Sequence, residues 1–141
     1  MSKFIFGALV AVGVAVSGVA AAAEFENNAK VEIKDFPGGG KPIYTLIKQG
    51  EDANKDGIYL LKTQSNNFLT VQKPDVGAPV GWTQTGDPKA KPSKWILHKN
   101  STGWSIIAAG NGANTVTKVG GKLVLQRNQG TPTQVFQLIR Q

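Results

Sequence analysis

The stretch "KVEIKDFPGGGKPIYTLIKQ" (Lys30–Gln49) reads almost like "KLVLQRNQGTPTQVFQLIRQ" (Lys122–Gln141). Both are twenty residues long. Val31 matches Leu123 and Ile33 matches Leu125. Tyr44 matches Phe136, Leu46 matches Leu138, and Lys48 matches Arg140. Each copy alternates apolar and polar residues, breaks at a loop carrying Gly and Pro, and alternates again. Period two puts one set of side chains inward and the other outward, so each copy predicts two strands joined by a loop.

A third copy, "PVGWTQTGDPKAKPSKWILHK" (79–99), has a slightly longer interior. A different hairpin also occurs twice, as "GIYLLKTQSNNFLTV" (57–71) and "GWSIIAAGNGANTVT" (103–117). Calling the second type A and the first type B, the chain runs B, A, B, A, B. The runs are short, rich in Val, Ile, Thr, Trp and Tyr, and bounded by Gly, Asn, Asp and Pro, as strands and turns require. About ten strands in so short a chain predict a barrel or sandwich rather than a sheet covered by helices. An A–B unit repeated about three times predicts an all-β fold, a β-trefoil with an incomplete or irregular first repeat. The repeats are the B hairpin 30–49, then 57–99, then 103–141. Before Lys30 only "EFENNA" is left where the first A hairpin belongs. An open edge there would invite pairing with another chain, so monomer and dimer both stay open.

Tyr44, Trp95 and Phe136 recur at one position of the B hairpin and are expected inside. "NTVTKV" (114–119) has no clear phase. Trp82 shares a face with Val80, which makes it a core candidate as well as a binding candidate.

The chain has 141 residues, 16 basic and 9 acidic side chains and a net charge of +7. Residues 1–23 read as a secretory signal. Lys3 gives a basic start, Phe4–Ala22 an apolar run rich in Gly and Ala, and "AAA" a small-residue cleavage site. Residues 24–141 make one small domain, with no later stretch apolar enough to span a membrane. Without Cys there is no disulfide, thiolate nucleophile or Cys-held metal, so packing and backbone hydrogen bonds carry the fold. The positive charge is scattered rather than run together, which argues against nucleic acid and fits a soluble surface or acidic glycans. "NST" at Asn100 is a glycosylation acceptor or an ordinary turn.

Catalysis finds little support. His98 stands alone on its strand, facing away from Trp95 and Leu97. No nucleophile is marked beside it, and one histidine makes no metal site. Asp52, Asp56 and Asp87 sit beside Asn, Gly or Pro as turn residues do. No pair of carboxylates is marked for glycoside hydrolysis. The chain is read as no enzyme and as needing no cofactor.

The pieces "GIYLLKTQSNNFLTV", "GAPVGWTQT", "SKWILHK" and "GWSIIAAGNGANTVTKV" resemble the ricin B-type lectin superfamily, above all its small secreted and fungal β-trefoil members. That family repeats G-x-Y-x-L, L-x-V and then Q-x-W. Gly57, Tyr59, Leu61, Leu69 and Val71 match the first two elements. The third reads "SKW" at Ser93–Trp95, "QVF" at Gln134–Phe136 and "PIY" at Pro42–Tyr44. The resemblance implies a secreted, non-catalytic carbohydrate-binding module whose partner is a glycan or glycoprotein. In the family an acid after the A hairpin, an aromatic on the next strand and an amide from the following loop hold the sugar. Asp75 and Trp82 fit the first two roles, flanked by Asn66 and Asn67. Asn128 and Gln129 fit the third role in the last copy, which lacks the acid. The Asn residues also read simply as turn formers. Related trefoils include protease inhibitors, so the alternative is a loop offered to a protease. "KPDVGAP" (73–79) and "GDPKAKPSK" (86–94) are the candidate loops, the latter presenting Lys89 or Lys91 to a serine or cysteine protease.

Overall fold

Alternating runs become strands here because each buries one row of side chains and pairs its backbone laterally. The computed structural model describes residues 25–34, 36–37, 43–84 and 93–141. The expected leader and the candidates Lys89 and Lys91 lie outside these residues. Ten strands are described: β1 (Ala29–Ile33), β2 (Ile43–Glu51), β3 (Gly57–Thr63), β4 (Asn67–Thr70), β5 (Pro79–Gln84), β6 (Trp95–Lys99), β7 (Trp104–Ala108), β8 (Asn114–Val119), β9 (Lys122–Arg127) and β10 (Leu138–Arg140). A 3-10 turn at Pro132–Gln134 precedes β10. Every described pairing of neighbouring strands is antiparallel.

Seven strands close a ring in the order β3-β4-β5-β9-β8-β7-β6, with β6 returning to β3. The other three, β2, β1 and β10, continue from β3. A lone bridge between Trp104 and Phe136 brings that branch back to β7. A second ring, β1-β2-β3-β6-β7-β10, therefore shares β3, β6 and β7 with the first. The fold is a β-trefoil with an irregular first unit.

The first described unit opens on a turn rather than a strand. Phe25–Asn28 make only a turn, with Asn28 at φ 67°. β1 then pairs with β2 on one side and β10 on the other. The open edge expected from the sequence is thus closed within one chain. The Tyr59 hydroxyl donates to the Phe25 carbonyl at 2.5 Å, and Arg140 pairs with Glu26 while lying over the Phe25 ring. Both contacts hold the turn against the barrel.

Inward phases match the alternation. Val31, Ile33, Leu46, Leu61, Leu69, Trp95, Ile106 and Leu125 are fully buried, with Tyr44, Tyr59 and Phe136 beside them. The Trp95 indole N–H donates to the Leu69 carbonyl at 2.9 Å, so the largest core side chain leaves no polar atom unpaired. Losing such a ring costs on the order of 3–5 kcal/mol.

Two local readings shift. The strand expected over "VFQLIR" is broken: Phe136 bridges to Trp104, whereas Leu138 begins a ladder with Ile33. The chain changes partners at Gln137, whose carbonyl accepts from the Lys34 amide at 3.0 Å. The unphased "NTVTKV" is buried on both faces from Asn114 to Thr117. Its polar atoms are paired, with Thr115 Oγ1 donating to the Ile106 carbonyl at 2.9 Å. Gly120 and Gly121, at φ 56° and 85°, make the two-residue turn from β8 to β9, a geometry that favours glycine.

Candidate functional site

β4 ends at Thr70 and β5 begins at Pro79, and the loop between them links an A hairpin to its B hairpin. Proline at 74 and 79 limits its backbone freedom. Gly77, at φ 86°, makes the reversal that most residues resist. The loop is tied down from outside as well. The buried Asn114 donates through Nδ2 to the Pro74 carbonyl at 2.7 Å. The Gly77 amide donates to the Leu125 carbonyl at 2.7 Å, and the Leu125 amide to the Ala78 carbonyl at 2.9 Å. An Asp75–Ala78 turn adds a backbone bond of 3.1 Å.

Beneath this loop lies a cavity of about 640 Å³. Thr70, Gln72, Lys73 and Asp75 supply its polar wall, and Val76 and Trp82 its apolar one. Asp75 is exposed, and its carboxylate makes no hydrogen bond or ion pair with a described residue. That carboxylate is therefore available to a ligand. Trp82 is half-buried and stacks on Tyr44, with centroids 5.0 Å apart and planes at 8°. Phe36 packs edge-on to it at 6.4 Å. Tyr44 thus takes one face of the indole, and the rest of the ring serves the cavity. Burial pushes the Tyr44 phenol up to about 12, so this support stays uncharged at neutral pH.

The arrangement sets an aromatic ring and a carboxylate with no partner among the described residues on the wall of one cavity, with a loop held by hydrogen bonds. An aromatic covers an apolar C–H surface, a carboxylate accepts from hydroxyls, and a preset loop lowers the ordering cost of binding.

Of the sequence candidates, the structure brings Asp75 and Trp82 together. The other described candidates do not line this cavity. Asn66 sits at φ 64° in the β3–β4 turn, its amide donating to the Thr63 carbonyl at 3.1 Å. Asn67 begins β4, where its amide donates to Thr63 Oγ1 at 3.0 Å. Asn128 accepts through Oδ1 from the Gly130 amide at 3.2 Å, making a turn of its own. The Gln129 amide donates to Gln134 Oε1 at 2.8 Å. Asn100 donates through Nδ2 to Ser105 Oγ at 2.7 Å, and its amide closes a turn onto the Gly103 carbonyl at 2.7 Å.

Thr70, Gln72 and Val76 were not singled out from the sequence. Their signal is positional, since all fall within or next to the segment joining Asp75 to its two hairpins. The Q-x-W-like position is structural. Buried Gln134 donates through Nε2 to the Arg127 carbonyl at 2.8 Å and to Thr117 Oγ1 at 3.2 Å. Its counterpart Ser93 donates to the Val71 carbonyl at 3.2 Å and accepts from the Val71 amide at 2.9 Å.

His98 is exposed and pairs through Nδ1 with Asp56 Oδ2 at 2.8 Å. Asp56 is itself set in a turn, its amide donating to Asp52 Oδ1 at 2.9 Å. Among the described residues, no group of three or more His, Cys, Asp or Glu could hold a metal ion. None of the described helices is long and apolar enough to cross a membrane.

No protein-family model matches the sequence, and no curated protein sequence matches it significantly. Solved structures do match the fold. The chain is similar to the crystal structure of the Rhizoctonia solani agglutinin, at TM-score 0.57 and 13% identity, over 84% of this chain and 100% of that one. It is also similar to ThreeFoil, a designed three-fold symmetric protein, at TM-score 0.50 and 17% identity, over 78% of this chain and 90% of that one. At these identities the likeness shows the fold alone.

Proposed function

We propose that this protein is a secreted, non-catalytic carbohydrate-binding module whose partner is a glycan or glycoprotein. The observation that carries the reading is the meeting of Asp75 and Trp82 in one cavity under a pinned loop. Trp82 covers the apolar C–H face of a sugar ring. Asp75 accepts from two ring hydroxyls, with Gln72 and Thr70 within the same wall as further partners. The match to an agglutinin fold is consistent with this use, although a fold by itself does not fix a function. The leader pattern of residues 1–23 supports export.

Of the loops considered for a protease inhibitor, Lys73–Pro79 forms the cavity wall instead. The loop with Lys89 and Lys91 lies outside the described residues.

A glycan array on residues 24–141 tests the proposal. Asp75→Asn keeps the shape of an exposed side chain and removes only its charge. Charge-assisted hydrogen bonds contribute about 1.5–3 kcal/mol, so affinity for a bound glycan should fall roughly 10- to 100-fold. Trp82→Ala should abolish the signal, with a thermal melt to check that the fold survives the loss of the stack on Tyr44. An array blank for the wild type, or an Asp75→Asn variant that binds as well, rejects the reading.

A further inference from the structure

Two opposite charges line one cavity without meeting. Among the described residues of its wall, Lys73 and Asp75 are the charged ones. Both are exposed, and neither makes a hydrogen bond or ion pair with a described residue. They do not pair with each other, although only Pro74 separates them in the chain.

The backbone between the two charges is held. Pro74 is half-buried, and its carbonyl accepts from Asn114 Nδ2 at 2.7 Å. Gly110, in the turn from β7 to β8, lies against the same proline. A Cβ at Gly110 would stand 3.3 Å from Pro74 Cγ. The Asp75 carbonyl accepts from the Ala78 amide at 3.1 Å. Contacts from the third repeat therefore hold the loop of the second at the point from which both charged side chains leave.

A neutral sugar answers half of this wall. Its hydroxyls donate to Asp75, and Lys73 meets no charge. A sugar that also carries an anionic group gives the Lys73 ammonium a charge-assisted bond, stronger than one to a hydroxyl. The chain's net charge of +7 favours the approach of such a ligand. Asp75 restricts the class in turn, because it repels a negative group placed against it. The ligand must be negative at one end and hold free hydroxyls at the other.

We infer that the cavity selects sugars bearing one anionic group, a carboxylate as in a uronic acid or a sulfate ester. The ring lies on Trp82, hydroxyls donate to Asp75, and the anionic group meets Lys73. This names the ligand class for the carbohydrate reading and rests on it.

Matched methyl glycosides separate the two claims. Methyl β-glucoside and β-galactoside, their 6-carboxylates and their 6-sulfates are titrated calorimetrically into residues 24–141. For the sugar that binds, at least one anionic form should bind about 3- to 5-fold more tightly than its neutral parent, the effect of an exposed ion pair. The stronger of the two forms tells carboxylate from sulfate. The advantage should shrink as ionic strength rises from about 0.01 M to about 1 M, where exposed charges are screened. Lys73→Gln should remove the advantage and leave the neutral glycoside unchanged. Lys30→Gln changes the net charge equally on an exposed residue that does not line the cavity. It should keep the advantage.

Neutral and anionic forms of equal affinity overturn this inference and leave the carbohydrate reading standing. So does an advantage that Lys73→Gln preserves, or that Lys30→Gln lowers as much. Cyclohexanecarboxylate, an acid without hydroxyls, should bind more weakly than the 6-carboxylates. If it binds as well as they do, or if nothing in the panel binds, both readings fall.

Discussion

Residues 29–51 and 122–140 share one apolar pattern and end up in different company. β1 pairs with β2 and β10. Its counterpart β9 pairs with β5 and β8. The reason lies in the chain preceding each. β9 comes after the β7–β8 hairpin and folds back on β8 across the Gly120–Gly121 turn. β1 follows the turn at Phe25–Asn28, and its second edge takes β10. Apolar spacing decided which side chains went inward. The adjoining chain decided which backbones they sit beside.

If that separation holds, matched core residues should matter equally in both regions despite their different partners. Tyr44 and Phe136 are 5% and 4% exposed, and both rings pack against Phe36, at 5.9 and 5.0 Å. Tyr44→Ala and Phe136→Ala should each remove about 3–5 kcal/mol of unfolding free energy. Urea titration measures both. A loss below about 1 kcal/mol for Tyr44 alone would break the comparison and make the first half-unit an appendage to the barrel.

The ring that includes β1 depends on the Trp104–Phe136 bridge, closed by mutual backbone bonds of 2.8 and 2.9 Å. Gly103 stands beside it. A Cβ there would come within 2.7 Å of the Phe136 carbonyl oxygen and 2.8 Å of Val135 Cγ1. Gly103→Ala should cost about 1–3 kcal/mol, the usual range for overpacking. Gly81 in β5 has open space at the same atom, so Gly81→Ala should change stability by less than about 0.5 kcal/mol. Equal thermal shifts for the two variants would mean that the bridge is not a constraint.

Most of the fold was legible because alternation is a strong signal when one face is buried. Nine strands lie where the pattern put them and the last is broken before Leu138, while Val31, Leu61, Trp95 and Leu125 face inward as their phase required. Polar burial resisted reading. Asn114, Thr115, Thr117 and Gln134 are buried, yet their side chains would place them outside on polarity alone. Each is satisfied by a group distant in sequence or by the backbone, as Asn114 is by Pro74, and sequence spacing does not reveal such partners. The site was half legible for a related reason. Asp75 and Trp82 flank one loop, so their meeting needed little tertiary knowledge. Asn66 and Asn128 read both as sugar ligands and as turn formers because a turn-forming amide and a ligand-binding amide are the same residue type. The structure places both in turns, by the positive φ at one and the local hydrogen bond at the other.

The finest difference between the two regions is a single oxygen. Tyr44 carries a phenol where Phe136 has none, and burial raises that phenol from 10.0 to about 12. The folded state therefore resists ionisation that the unfolded chain undergoes near 10. Because the folded value is the higher one, the contribution is fully present below pH 10 and is lost as the pH rises from 10 toward 12. At pH 11 the loss amounts to about 1.4 kcal/mol for one such group. Tyr44→Phe keeps the ring on Trp82 and removes the titrating proton. It should match the wild type in urea at pH 7 and exceed it by about that amount at pH 11. A variant that tracks the wild type at both pH values would mean the phenol reaches water in the native state. The first unit would then be looser around Tyr44 than the third is around Phe136.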